Sequence, residues 1–251
     1  MPDEEALDDE SVFGANLLEN LFATWIDPEL RRRGMTSDRS AIWAAVVELS
    51  PLGGSTVTIN EEASVAAKAQ PDSGIATGTA LTPENAENVE WFVPTALHPD
   101  SGWLVYVVAE GLPYLAFDLR YNKGRVRELL ALAEDYLATA RSTYLEAPRP
   151  AIDNLFSAAE LTIQAQMLTG TETTKLHRAR DKWLKQEVEL ANIPPDHHKI
   201  LNGLHTQRAA ARYADGPVGM TAGDVAEAID SVAKMIEFAR VRSGVPVPVQ
   251  P

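Results

Sequence analysis

Apolar residues near the start of the chain recur at helical spacing. From Ser11 to Trp25 they lie three or four positions apart, which predicts an amphipathic helix with one stripe against a core. The stripe consists of Phe13, Leu17, Leu18, Leu21, Phe22 and Trp25. Pro28 then ends this helix or begins another short turn. The RRRG that follows is typical of a solvated helix end, where the helix dipole favours cations.

The pattern changes between Ile42 and Tyr121, where short runs are rich in β-branched and aromatic residues. These runs predict strands, and they read IWAAVVEL, STVTI, VEWFV, WLVYVVAE and YLAFDLRY. The last two predict a hairpin with its turn near Glu110 to Pro113. We expect a small, mostly antiparallel sheet packed on the first helix. The small residues from Ala63 to Asn88 predict no definite element.

From Gly124 the apolar positions repeat with helical period, which predicts an up-and-down bundle with short connections. PRP separates its first two helices, a third is expected from Thr173 to Leu190, and LHTQRAAARYADG lies in the fourth. Gly170, Asp196 and Thr221 are typical helix caps. The residues expected in the core include Val126, Leu129, Leu130, Ile152, Leu155, Phe156, Ile163, Val225, Ile229, Val232 and Ile236.

These patterns together predict an α+β protein. An acidic disordered tail (1–10) precedes a small α+β domain of unassigned role (11–123). A helical bundle (124–242) follows, and spaced prolines form the last segment (243–251).

Charge and composition exclude several classes. The net charge is −14, and residues 1–123 carry 7 basic and 20 acidic side chains, which gives no strong signal for DNA binding. Cysteine is absent, so disulfides and thiolate metal sites are excluded. No apolar run reaches the roughly 20 residues of a membrane helix, and the acidic first residues do not resemble a signal peptide. We expect a soluble cytoplasmic protein.

The order of parts in the second half resembles the HEPN superfamily of small prokaryotic helical bundles. The resemblance rests on AIDNLFSAAELTIQAQMLTG, KLHRARDKWL, IPPDHHKILNGLHTQRAAARYADG and TAGDVAEAID, over roughly residues 151–240. It implies a homodimer in a defence or toxin–antitoxin setting. Active members of that family are metal-independent ribonucleases whose motif is an arginine and a histidine separated by four to six residues.

That motif is incomplete in this chain. Arg208 matches the arginine, but the three positions at which the motif allows the histidine are Tyr213, Ala214 and Asp215. Tyr213 is a poor base near pH 7, since its ordinary pKa is about 10. One alternative is a degenerate ribonuclease centre in which His205, three residues before Arg208 and on the same helical face, supplies the imidazole. The other interpretation of His205 is a polar residue at a helix edge.

The other histidines indicate neither a catalytic nor a metal site. His177 stands among charged residues and is expected to face solvent, and His98 is a turn residue. His197 and His198 are adjacent on a helix and point about 100° apart, so they form no metal face. We therefore expect no metal and no cofactor.

Arg208 falls on an otherwise apolar stripe of its helix, and a cation there needs an acidic partner or a water-filled groove. Arg212, one turn on, can present a second charge beside it, with Tyr213 next in the chain. The sequence therefore predicts a non-catalytic binding or regulatory protein, with Arg208, Arg212 and Tyr213 as candidate contacts to a nucleotide, an RNA or a protein partner. The ribonuclease at His205 and Arg208 is the alternative. A third hypothesis is that the acidic half masks a basic partner surface.

Overall fold

The computed structural model describes residues 4–35, 38–69, 89–109 and 111–245. The chain forms two compact units, Met1–Leu119 and Arg120–Pro251. The sequence pattern put this boundary after residue 123. Tyr121 N–H donates to the Thr169 carbonyl, and the Asn122 amide donates to the Leu168 carbonyl. These bonds explain why residues 120–123 belong with the helices.

The first unit begins with a nearly continuous helical segment. It consists of α1 (Glu4–Leu21), a π-helical turn (Phe22–Ile26) and α2 (Asp27–Arg32). The acidic residues 4–10 form the first turns of α1 instead of the expected disordered tail, because acids suit the positive end of a helix dipole. Pro28 lies in the first turn of α2. Of the predicted stripe, Leu21 and Phe22 are buried, whereas Phe13 is exposed.

A four-stranded antiparallel sheet carries the core of this unit. The described part of this unit has six strands in all: β1 (Ala44–Leu49), β2 (Ser55–Ile59), β3 (Val65–Ala69), β4 (Val89–Pro94), β5 (Gly102–Ala109) and β6 (Leu112–Asp118). The sheet has the order β2-β1-β5-β6, and β3 pairs with β4 separately. The β5–β6 hairpin confirms the predicted one; Glu110 of its turn lies outside the described residues. The sequence pattern missed β3, and residues 70–88 also lie outside the described part.

One face of the sheet packs against the helical segment, as alternation along the strands predicts. The cluster includes Leu21, Phe22, Ile26 and Leu30 from the helical side and Val47, Ile59, Leu104 and Tyr106 from the sheet. The fold of this unit is therefore the predicted helix on a small antiparallel sheet.

The second unit, as far as residue 245, contains five helices: α3 (Lys123–Thr143), α4 (Pro148–Thr169), α5 (His177–Glu189), α6 (Pro195–Tyr213) and α7 (Ala222–Ser243). All eleven residues named above as expected core positions of this bundle are buried, whereas Tyr144, which the spacing places on the same stripe as Val126, is only partly buried. The α+β class with a C-terminal helical bundle is thus confirmed. No helix among the described segments combines the length and apolarity needed to cross a membrane.

The helix ends correct several local predictions. PRP does not separate helices but forms the first turn of α4, where a missing N–H costs nothing. Asp196 is not an N-cap; Pro194 holds that position, and Asp196 lies in the first turn of α6. Gly170 ends α4, and Thr221 forms a full capping box with Asp224, both as predicted.

Candidate functional site

Three helices of the second unit meet around the buried ring of Phe156 on α4. The rings of His177 on α5 and His205 on α6 have their centroids 5.6 and 5.8 Å from that of Phe156. The Arg208 guanidinium lies over the same ring, with Cζ 4.8 Å from its centroid. We call His177, His205 and Arg208 the histidine–arginine cluster.

Glu160 of α4 holds His177 in place. Its Oε1 lies 2.7 Å from His177 Nδ1 and 3.5 Å from Nη1 of Arg180. A carboxylate on one ring nitrogen fixes the orientation of the ring and leaves Nε2 for another contact. The expectation that His177 faces solvent was wrong, because its side chain is 24% exposed and is held by a carboxylate from another helix.

The two imidazoles of the cluster are stacked. Their centroids are 4.0 Å apart, and the ring planes differ by 13°. Burial lowers the pKa of His205 below its ordinary 6.5; His177 and Arg208 lower it further, against the opposing effect of Glu160 and Asp181. His205 is therefore neutral near pH 7. One face of the ring is covered by His177, whereas the residue as a whole is exposed, so a ligand can reach it.

Arg208 differs from an ordinary surface arginine. No acidic side chain of the described segments forms an ion pair with it, and its buried Nε has no hydrogen-bond partner there. Of the two alternatives for this residue, pairing with an acid is not observed among the described residues. A partly buried guanidinium in this state costs free energy until an acceptor reaches it.

Arg212 and Tyr213 lie at the end of α6. Arg212 has a carboxylate at the limit of ion-pair distance, with Nη1 4.0 Å from Asp153 Oδ1. Its Cζ is 5.9 Å from the ring centroid of Tyr213, which is 71% exposed. Arg149 donates to backbone carbonyls in and beyond the last turn of α6. The backbone at this end of the helix is therefore anchored, and the 46% exposed side chain of Arg212 has a carboxylate nearby, which Arg208 lacks within the described residues.

A second polar group lies one helical turn away. His198 Nε2 on α6 is 3.1 Å from Asp181 Oδ1 on α5, and Asn202 Nδ2 is 3.0 Å from the same His198 nitrogen. We call Asp181, His198 and Asn202 the Asp181 group. Asp181 follows His177 by four residues and Asn202 precedes His205 by three, so the two groups are neighbours along both helices.

The remaining histidines have other surroundings. His197 is 6% exposed, its ring stands edge-on to Phe238 with centroids 5.1 Å apart, and burial lowers its pKa. His98 is the predicted turn residue, and its Nδ1 accepts from Asp100 N–H. Within the described ranges, no three His, Asp or Glu side chains are grouped as metal ligands would be.

The sequence singled out His205 and Arg208 but missed His177 and Glu160. One signal for Glu160 was present, since it falls on the apolar α4 stripe between Phe156 and Ile163 at spacings of four and three. A carboxylate in such a position needs a partner. Nothing in the local sequence identifies that partner as His177, seventeen residues later on another helix.

Comparison with known proteins gives little further information. No protein-family model matches the chain, and no curated protein does. Among solved structures, the crystal structure of TT1696 from Thermus thermophilus is similar, at 22% identity and a TM-score of 0.41. The match covers 47% of this chain and 98% of that one. Function is therefore inferred from the geometry of the site.

Proposed function

We propose that the second unit is a HEPN-like domain that binds a phosphate of RNA or of a nucleotide at the histidine–arginine cluster, without cleaving it. The observation that carries this proposal is the Arg208 guanidinium, which has no acidic partner among the described residues and lies beside two imidazoles. Phosphate oxygens suit the planar fork of a guanidinium, which binds them through two parallel hydrogen bonds.

The stacked rings favour binding over cleavage. An in-line displacement at phosphorus places the attacking and leaving oxygens on opposite sides, so its acid and base must flank the phosphate. The His177 and His205 rings are parallel and 4.0 Å apart, so neither can lie across a phosphate from the other. A cytoplasmic regulator in a prokaryotic defence or toxin–antitoxin system is the setting that the HEPN resemblance implies.

A metal-independent ribonuclease is the second candidate, and one observation favours it. Glu160 on Nδ1 of His177 resembles the carboxylate that orients a catalytic imidazole, and neutral His205 beside it can accept a proton. Under this alternative His177, which the motif does not include, joins His205 and Arg208 in the centre.

Titration of the full chain with a short fluorescent single-stranded RNA tests the proposal. We expect saturable binding whose logarithmic salt dependence has a slope of about −0.7 per phosphate held. Lower pH should tighten binding, because protonation of His205 adds a positive charge beside the phosphate. Absence of saturable binding at low salt would contradict the proposal.

Incubation of the same RNA with the protein, with and without a metal chelator, separates the two candidates. We expect the RNA to remain intact in both. Cleavage that resists the chelator and disappears in His177→Ala, His205→Ala and Arg208→Ala would instead establish the ribonuclease.

We also propose that the second unit forms a homodimer. Several large apolar side chains of this unit are at least 59% exposed and are accessible to a second copy; they are Leu145, Leu176, Leu190, Tyr213 and Val241. Sedimentation at micromolar concentration should give twice the chain mass of 27.3 kDa. A single species of one chain mass would contradict the dimer.

A further inference from the structure

The first unit contains a cavity at one end of its four-stranded sheet. The volume of the cavity is about 460 Å³, within the usual range for ligand sites. The β1–β2 turn, the strand ends beside it and the turn before β5 form its walls, which include Glu48, Ser50, Leu52, Thr56, His98 and Ser101. Among the described residues that line it, Glu48 carries the only carboxylate, and none is a lysine or an arginine.

Glu48 is held in this cavity by two hydrogen bonds to one of its oxygens. Oε1 accepts from the His98 N–H at 3.0 Å and from the Ser101 hydroxyl at 2.7 Å. Ser101 is 2% exposed, and Glu48 lies on β1, which is flanked by β2 and β5 in the sheet. The carboxylate is therefore fixed in position before a ligand arrives, which lowers the entropic cost of binding.

The charge of this carboxylate favours a cation in the cavity. Within the described ranges, Glu48 forms no ion pair and its Oε2 makes no hydrogen bond. His98 adds no positive charge in this arrangement, because its Nδ1 accepts from the Asp100 N–H and only an uncharged ring can accept there. Residues 1–123 also carry 7 basic and 20 acidic side chains, and this excess of acids raises the local concentration of cations.

The hydrogen bonds of Glu48 indicate an ammonium group as that cation. A guanidinium binds a carboxylate best through two parallel bonds, one to each oxygen, and Oε1 already has two donors. An ammonium group has three donors on one nitrogen and can bind Oε2 alone. Thr56, directly opposite Glu48 on β2, lines the same cavity, so its hydroxyl oxygen can accept another of these bonds. Leu52, also in the wall and 96% exposed, offers apolar contact to an alkyl stem.

We propose that this cavity binds a primary ammonium group on an alkyl stem, with the ammonium between Oε2 of Glu48 and the Thr56 hydroxyl. The site is independent of the histidine–arginine cluster and of the HEPN resemblance. A lysine side chain of a partner protein and a free polyamine both supply this group. A lysine here would be one specific contact for the basic partner that the third sequence hypothesis requires.

Titration of the isotope-labelled full chain with blocked amino acids, followed through the amide resonances of Gly53 and Gly54, tests the proposal. N-acetyl-lysine N-methylamide has the ammonium as its only charge, and the matched norleucine compound has the same stem without it. The lysine compound should bind about tenfold more tightly than the norleucine compound, because a hydrogen bond to a charged group is gained. It should also bind more tightly than the matched arginine compound. Equal binding of the lysine and norleucine compounds, tighter binding of the arginine compound, or no binding at tens of millimolar would each overturn the proposal.

Glu48→Gln removes the charge while an amide oxygen can still accept the two bonds made at Oε1. This variant should bind the lysine compound about tenfold less tightly. Glu61→Gln is the matched control, since Glu61 is an exposed acid of the same unit that does not line the cavity. The control should keep the wild-type affinity. Equal losses in the two variants would indicate diffuse attraction to the acidic surface and would overturn the site.

Thr56→Val gives a second test that holds even if Glu48→Gln unfolds. Thr56 is exposed on β2, and valine suits a strand, so the variant should fold and bind the lysine compound several-fold less tightly. Unchanged affinity would overturn the proposed position of the ammonium. Spermidine then distinguishes the two sources of the group, and either result supports the site. Much tighter binding than that of the lysine compound indicates a free polyamine, whereas similar binding indicates a lysine side chain.

Discussion

Replacement of Arg208 with alanine is expected to weaken RNA binding about thirtyfold or more. Removal of one member of a largely desolvated, hydrogen-bonded charge pair has an effect of at least this size, and the structure offers the phosphate no second unpaired guanidinium on Phe156 within the described residues. Fluorescence titration of wild-type and variant chains with the same RNA measures the loss.

The same substitution should leave the ligand-free protein about as stable as before. Nε of Arg208 is buried without a partner, so its removal relieves an unpaired polar atom and offsets the lost contact with Phe156. We expect the free energy of unfolding to change by less than about 1 kcal/mol. A role in binding and a role in folding are thus distinguishable in one variant.

Arg127→Ala is the control, because Arg127 is an exposed arginine of α3 in the same unit. It removes the same charge from the chain and should leave RNA affinity close to that of the wild type. Equal losses in Arg127→Ala and Arg208→Ala would indicate diffuse attraction to the protein surface. Unchanged affinity in Arg208→Ala would place the phosphate elsewhere.

Acidification from pH 7 to pH 5 is expected to lower the free energy of unfolding by up to about 2 kcal/mol through His197 alone. Burial lowers the pKa of His197 in the folded chain below 6.5, so the unfolded chain binds the proton more tightly. The stabilising contribution is complete above the unfolded pKa and is lost as the pH falls below about 6.5. Its place in the first turn of α6 adds to the effect, because the helix dipole disfavours a cation there.

Denaturant unfolding at half-unit pH steps measures this loss. His197→Phe keeps an aromatic ring against Phe238 and removes the titrating group, so the pH dependence should become shallower. Stability that stays constant from pH 7 to pH 5, or a slope that the variant does not change, would contradict the prediction.

Periodicity predicted the bundle well because burial on a helix is a local property. Leu155, Phe156 and Ile163 lie on one α4 stripe, and any partner helix would bury them. The local signals failed where two effects compete at one residue. Pro148 reads as a helix breaker, yet it begins α4 because a first turn needs no N–H donor there.

The candidate site was only half predictable for the opposite reason. Arg208 is conspicuous as a cation on an apolar stripe, and His205 shares its helix. The stacking of His177 on His205 depends on how α5 packs beside α6, and no local pattern encodes that register. A polar residue on an apolar stripe, such as Glu160, is the one sequence signal that indicates a partner across the bundle.

The π turn at Phe22–Ile26 has a consequence for how many residues this helical segment can contain. Ile26, at the end of the turn, and Leu30, after it, are buried. Trp25, which the apolar spacing from Phe13 onward places in the core, is only partly buried. The stripe has thus moved by one residue, since a π turn holds one residue more than an α turn. A π turn forms when one residue is inserted into an α-helix and the apolar residues on both sides of the insertion keep their contacts with the core. This is therefore the place in the helical segment where related sequences can differ by a single insertion or deletion without turning the helix away from the sheet.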